Sequence, residues 1–294
     1  KIGIDPTGLK FKEYYNDDIT LIPDFFTKEL FINIFHGKKA KIVTSIAMFY
    51  DLEDPKKFAK DVEEILHDDG VWCVQISYLA SMLKYNNFYD ICHEHLSYYS
   101  IDSFEYLLDK LNLKCFYAQT NAVNGGSIRL FVCKKSCNKY EKSEFIEDFE
   151  KLKADEEKYN LKSEKTFMDF QENITDIKNK TNLFVDKILK SNQRVLALGA
   201  STKGNVLLQH FGLDKFKIPF ISERNPEKVG MILALSRPES SLHFYFVLEL
   251  FPREIVVKNT LLALVLVCFG FVGLSRLSCP NLFLLVYKNF FSSK

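Results

Sequence analysis

The stretch Tyr89-Asp90-Ile91-Cys92-His93-Glu94-His95-Leu96-Ser97-Tyr98-Tyr99-Ser100 concentrates groups that can move protons. It holds two of the six histidines, a thiol, three phenols and the Glu94 carboxylate set between the two imidazoles. Imidazole has the unperturbed pKa closest to neutrality, so the cluster suits general acid/base work or metal binding. As a metal pair, His93 and His95 would share one face if the stretch were a strand, with Cys92 on the other. A zinc site needs three or four ligands, and no HExxH accompanies them, so zinc is the weaker reading. A purely structural role for both imidazoles is the plain alternative.

The elements that must position this stretch follow from patterning. Apolar runs at Ile2–Asp5, Ile19–Ile22, Lys41–Ile46, Val71–Ile76, Lys114–Gln119 and Ser127–Cys133 read as strands, the last two joined across Asn124-Gly125-Gly126. Pro55–His67 and Ile101–Leu111 carry apolar residues at helical spacing, and Ser100 stands as N-cap of the second. Asp68-Asp69-Gly70 reads as a turn between the first helix and its strand. Repeated β-α-β units argue a mostly parallel, doubly wound sheet over residues 1–137. Residues 138–190 contain no Gly or Pro and repeat Phe167, Phe170, Ile174, Ile177, Phe184 and Ile188 at helical spacing, which predicts a helical linker. A second α/β unit spans 191–258: strand Arg194–Leu198, the small-residue turn Gly199–Asn205, helix Val206–Phe211, strand Ile218–Ile221, then Glu223-Arg224-Asn225-Pro226. That outline fits half of a nucleotide-binding fold, although neither a full GxGxxG nor Walker spacing is present.

Composition bounds the function. The 294 residues are 47% hydrophobic and 26% charged, ordinary for a globular chain, and a formal net charge of +1 gives no electrostatic case for nucleic acid. Seven cysteines (73, 92, 115, 133, 137, 268 and 279) form no CxxC pair, which favours reduced thiols in a cytoplasmic protein. The tail, 259–294, differs: Leu261–Leu274 is apolar or Gly throughout. A run of ~10–14 such residues is more often a buried or interfacial segment than a spanning helix, so membrane contact is a competing reading only.

Five motifs stand in one order: Gly3-Ile4-Asp5-Pro6-Thr7; Thr44 to Pro55; the His-Glu-His stretch; Asn124-Gly125-Gly126-Ser127-Ile128-Arg129; and Leu198 to Asn205 with Glu223-Arg224-Asn225-Pro226. Over about residues 1–230 they resemble the S-adenosylmethionine-dependent C-methyltransferases that act on nucleotide-linked deoxyketosugars. The resemblance implies an α/β architecture, with a partial class I methyltransferase Rossmann-like sheet, a helical linker and a second Rossmann-like domain that helps hold the nucleotide sugar. It also implies an upstream zinc module, and a first strand with a glycine-rich cofactor loop, both of which would precede Lys1.

Carried over residue by residue, Asp5 would accept from the cofactor's ribose hydroxyls, Asp24 would meet the adenine edge, and Ser45 and Ile46 would flank the cofactor. A solvated strand-end carboxylate is the plain alternative for each acid. Glu94 and His95 match the family's reaction centre, where a carbon next to a ketone loses its proton to give an enolate that is methylated. His95 is the expected base, and Glu94 would orient it or bind a sugar hydroxyl. Where some members have a tyrosine this chain has Cys92, so Tyr98 or Tyr99 would have to substitute. Ser201, Thr202, Lys203 and Asn205 are expected at the sugar diphosphate, Glu223 or Asn225 at the nucleoside, and Asn124 among the substrate-binding residues. The competing reading is a catalytically inactive fragment or non-enzymatic binder of nucleotide sugars.

Overall fold

The computed structural model describes residues 1–223 and the backbone of three later strands, 232–235, 243–249 and 266–267. These residues form two compact units. One comprises Lys1–Ser77, Leu96–Asn121 and Ile128–Lys158; the other comprises Tyr78–His95, Ala122–Ser127 and the described residues from Tyr159 onward.

In chain order the elements are β1 (Ile2–Ile4), β2 (Thr20–Ile22), α1 (Lys28–Phe35), β3 (Ala40–Ile46), α2 (Pro55–Ile65), β4 (Leu66–Ser77) and α3 (Leu79–Tyr85). Next come α4 (Ile101–Asp109), β5 (Leu113–Asn121), β6 (Ser127–Lys134), α5 (Ser143–Glu157) and α6 (Glu164–Lys190). The last are β7 (Ala197–Leu198), α7 (Thr202–Phe211), β8 (Phe220–Glu223), β9 (Ile232–Leu235), β10 (His243–Glu249) and β11 (Leu266–Val267).

In the first unit β1 and β2 pair in parallel as a two-stranded sheet, and β3-β4-β6-β5 form a four-stranded one with β3 and β4 parallel. A single doubly wound sheet is the sequence expectation; here the two ladders are separate. Strand alternation puts Trp72, Val74 and Ile76 of β4 and Ile128, Leu130 and Val132 of β6 in the core. Trp72 meets Phe58 of α2 at 6.3 Å and Phe104 of α4 at 6.2 Å between ring centroids. Phe49 sits among them, 5.6 Å from both Trp72 and Phe104 and 5.5 Å from Tyr99. Burying each such ring stabilises by about 1.5–3 kcal/mol.

Local signals explain the helix starts. Asp54 accepts from the Lys57 amide at 2.8 Å with Pro55 in the first turn of α2. Asp68-Asp69-Gly70 is not a free turn. It lies inside β4, where the register with β3 jumps from Ala40↔Leu66 to Ile42↔Val71 and the extra residues bulge out. Helix α1 was not anticipated, although Thr27 caps it by accepting from the Leu30 amide at 3.2 Å.

In the second unit the strand order is β11-β7-β8-β10-β9; β7 pairs in parallel with β8 and β11, β8 in parallel with β10, and β9 runs antiparallel to β10. The chain is therefore α/β, and β7–α7–β8 is a Rossmann-like unit. The segment expected as a linker is two helices: α5 belongs to the first unit and α6, with Phe170, Ile174, Val185 and Ile188 buried, to the second. β9 lies where no strand was expected. Among the described residues no helix is long and apolar enough to cross a membrane; of the 261–274 run only 266–267 is described.

α4 is held at its start by two devices. Ser100 and Ser103 form a reciprocal capping box, and buried Glu156 of α5 accepts from the Ile101 amide at 2.7 Å and the Asp102 amide at 3.2 Å. A carboxylate at a helix N-terminus complements the dipole and satisfies orphan amides. Glu156→Ala should lower the unfolding free energy by about 1–3 kcal/mol in urea titration, with Glu156→Gln losing less. Equal stability of all three forms would show that the cap contributes nothing.

Candidate active site

In the first unit the expected cofactor residues lie at strand ends. Asp5 follows β1, its amide donating to Ile22 O of β2 at 3.1 Å. Asp5 Oδ1 accepts from both the amide and the hydroxyl of Thr7 at 2.8 Å. Asp24 follows β2, is exposed, and its Oδ1 accepts from the Phe25 amide at 2.7 Å. Parallel pairing of β1 and β2 therefore brings both carboxylates to the same carboxyl end. Ser45 is buried and its hydroxyl accepts from the Trp72 indole N–H at 3.0 Å, while Ile46, next in the strand, is exposed. Of the two tyrosines considered, Tyr99 is a core residue packed on Phe49 and Phe104, with its hydroxyl pKa pushed up by burial and pulled back by Ser97. Tyr98 is half-buried.

The second unit holds Glu94 and His95. α3 ends at Asn86 in the left-handed region (φ 54°), and a 3-10 turn, Phe88–Asp90, follows. Residues 92–95 are a turn closed by the His95 amide donating to Cys92 O at 3.2 Å. The shared strand face on which the His93–His95 metal pair depended is therefore absent. Glu94 is exposed and His95 half-buried.

Three sequence-distant segments are tied here. Phe88 stacks on Phe211 of α7 at 5.3 Å. The Asn87 side-chain amide donates to Gly125 O, and Asn87 Oδ1 accepts from the Tyr89 hydroxyl at 2.8 Å. Lys203, in the first turn of α7, pairs with Asp90, donates to Asn124 O at 3.0 Å, and lies 5.6 Å from the Tyr89 ring centroid. The Asp90 side chain is only 3% exposed. The 124–126 turn can approach this closely because it ends in glycine: a Cβ on Gly126 (φ 126°) would stand 2.6 Å from Ser81 Cβ.

Of the expected substrate residues, the structure brings together Asn124 and Lys203. Ser201 is the N-cap of α7, its hydroxyl accepting from the Gly204 amide at 3.1 Å. Asn205 Oδ1 accepts from the Gln209 side-chain Nε2 at 3.0 Å. Glu223, at the end of β8, accepts from the Ala200 amide at 2.6 Å, so its carboxylate lies at the glycine turn. Asn225 lies outside the described residues. The residues that pattern reasoning left without a role are Asp90 and Asn87. The available signal was an acid and an amide in an otherwise aromatic turn.

Residues 122–237 match the model of the C-methyltransferase C-terminal domain family. Over 238 residues the chain is 29% identical to the C-methyltransferase NovU of Streptomyces niveus, an alignment covering 80% of this chain and 56% of that protein. The chain thus spans little more than half the length of the curated relative it matches. The two findings agree in what they resemble: both liken this chain to C-methyltransferases. Among solved structures, the complex between the Haloferax volcanii Trm112 methyltransferase activator and a methyltransferase matches at a TM-score of 0.35 and 11% identity, covering 45% of this chain and 70% of that one. The plantazolicin methyltransferase BpumL with SAH matches at 0.34 and 13%, covering 45% and 66%. Scores this low carry no weight; the α/β assignment rests on strand order.

Burial pushes the Asp90 carboxyl up from its ordinary value of 3.8, against the opposing pull of the Lys203 charge and hydrogen bond and of His95. A proton held more tightly in the folded chain gives a contribution to stability that is present below the unfolded-state pKa and is lost as pH climbs toward the folded one. Urea titrations from about pH 4 upward should therefore show a decline in the parent chain that Asp90→Asn lacks. Parallel pH profiles would contradict this.

Proposed function

We propose that the chain is part of an S-adenosylmethionine-dependent C-methyltransferase that methylates a carbon next to the ketone of a nucleotide-linked deoxysugar. The observation that carries this reading is the fixing of the Glu94–His95 turn, through Asp90 and Lys203, to the 124–126 turn and the start of α7. These are the segments that resemble the sugar methyltransferases, and the last two lie inside the region matching the C-methyltransferase domain.

Asp5 and Asp24 fit the donor's adenosine part. Asp5 has one oxygen tied to Thr7, leaving the other for a vicinal diol, and Asp24 lies at the same strand edge beside exposed Phe25. Ile46 offers an apolar surface at the end of β3, and buried Ser45 acts by fixing the strand end through Trp72. Bound there, the cofactor supplies an electrophilic methyl on a sulfonium. His95, as the neutral imidazole, takes the proton from the carbon next to the ketone, and the electron pair moves to the carbonyl oxygen to give the enolate. Exposed Glu94 binds a sugar hydroxyl or orients the imidazole. The sugar diphosphate is met at the Gly199–Asn205 turn, where Ser201 caps the helix and the amides of the first turn favour anions; Asn124, Asn205, Glu223 and Asn225 serve the rest of the nucleotide sugar.

The full-length protein incubated with S-adenosylmethionine and a panel of nucleotide ketosugars should transfer methyl to at least one. His95→Ala should then lower kcat by about 10²–10⁴-fold. Nucleotide binding without methyl transfer to any sugar would favour the non-enzymatic binder instead.

A further inference from the structure

Lys203 stands where an anion-binding lysine would be sought, in the first turn of a helix that follows a glycine turn. Its ammonium nevertheless already has three partners inside the protein: the Asp90 carboxylate, the Asn124 carbonyl and the face of the Tyr89 ring. Asp90 is almost wholly buried, and a buried carboxylate that loses its counter-ion is strongly destabilised. An approaching diphosphate would have to draw the ammonium away from that carboxylate. Asp90 also lies within electrostatic reach of His95, five residues on across the 92–95 turn. The pair therefore ends, on one side, at the segment that carries the base.

We infer that Asp90 and Lys203 work as one positioning pair: their buried ion pair fixes the Tyr89–His95 segment to α7 and so locates His95, and Lys203 is not a ligand of the substrate's diphosphate. The inference rests on the reading of His95 as the base. Tyr89 and Asn87 complete the device. The Tyr89 ring covers the ammonium, and its hydroxyl is held by Asn87, which in turn grips the 124–126 turn at Gly125. The Gly199 and Ala200 amides already donate to Ser222 O and Glu223, so the anion is left to the backbone amides of the Ser201–Lys203 turn at the start of α7.

The test uses the full-length enzyme and the variants Asp90→Asn, Lys203→Met and Asp90→Asn/Lys203→Met. The double variant leaves no buried charge without a partner, so it reports even where a single variant fails to fold. Isothermal calorimetry with uridine and thymidine diphosphates should give affinities within about twofold of the parent for each variant that folds, whereas a lost diphosphate ligand would weaken binding by about tenfold or more. With a turned-over sugar, each single variant should lose more than about tenfold in kcat at nearly constant KM, and the double variant should lose less than the product of the two single effects. In histidine-labelled enzyme the His95 ring signals should move in Asp90→Asn without any substrate. A Lys203→Met enzyme with kcat intact and KM raised tenfold would overturn the inference, as would His95 signals that do not respond. His95→Ala, run in parallel, separates the two readings. Full activity there removes His95 as base, while the calorimetry still decides whether Lys203 binds the diphosphate.

Discussion

A carboxylate taken out of water, Asp90, and the half-buried ammonium that pairs with it, Lys203, set the terms for the second unit. Burying the carboxylate costs several kcal/mol, and the attraction of its partner offsets that only where geometry and further hydrogen bonds are good. Here the ammonium also meets the Asn124 carbonyl and the Tyr89 ring. The consequence is mutual dependence. The turn after α3, the Asn124–Gly126 turn and the first turn of α7 hold their places only together, and the Glu94–His95 turn hangs from the first of them. Neighbouring contacts reinforce this, with Phe88 stacked on Phe211 and Asn87 bonded to Gly125.

The first unit is organised by apolar packing. Trp72, Phe49, Phe58, Phe104 and Tyr99 form an aromatic cluster that fixes β4 against α2 and α4, and the Trp72 indole reaches back to pin Ser45 near the end of β3. Parallel pairing then delivers polar and acidic groups to carboxyl ends of strands, the usual place for ligands in open α/β sheets. Asp5 and Asp24 owe their shared edge to the β1–β2 register.

Local chemistry made much of this legible from sequence. Ser100 announces α4, Asp54-Pro55 announces α2, and Asn124-Gly125-Gly126 announces a tight turn; each works through its own backbone, so no distant partner is needed. Other features failed for equally physical reasons. α1 and α3 are short and carry no strong periodic stripe, and Asp68-Asp69-Gly70, a turn by composition, is absorbed as a bulge by a long strand with a partner. His93 and His95 alternate like strand residues, yet Asn86 and the 3-10 turn put them in a loop. Above all, the partner of Lys203 lies far away in sequence, in a stretch read for its histidines. Pattern reasoning gave the lysine to an external anion, because nothing local reveals an internal one.

The central chemical claim is that His95 removes the proton next to the substrate's ketone. It can be read without any methyl transfer by incubating the full-length protein with a nucleotide ketosugar in deuterium oxide, with no methyl donor, and following that carbon's proton by NMR. The account predicts exchange for deuterium with the parent protein and none above background with His95→Ala. Exchange that persists undiminished in His95→Ala would contradict it.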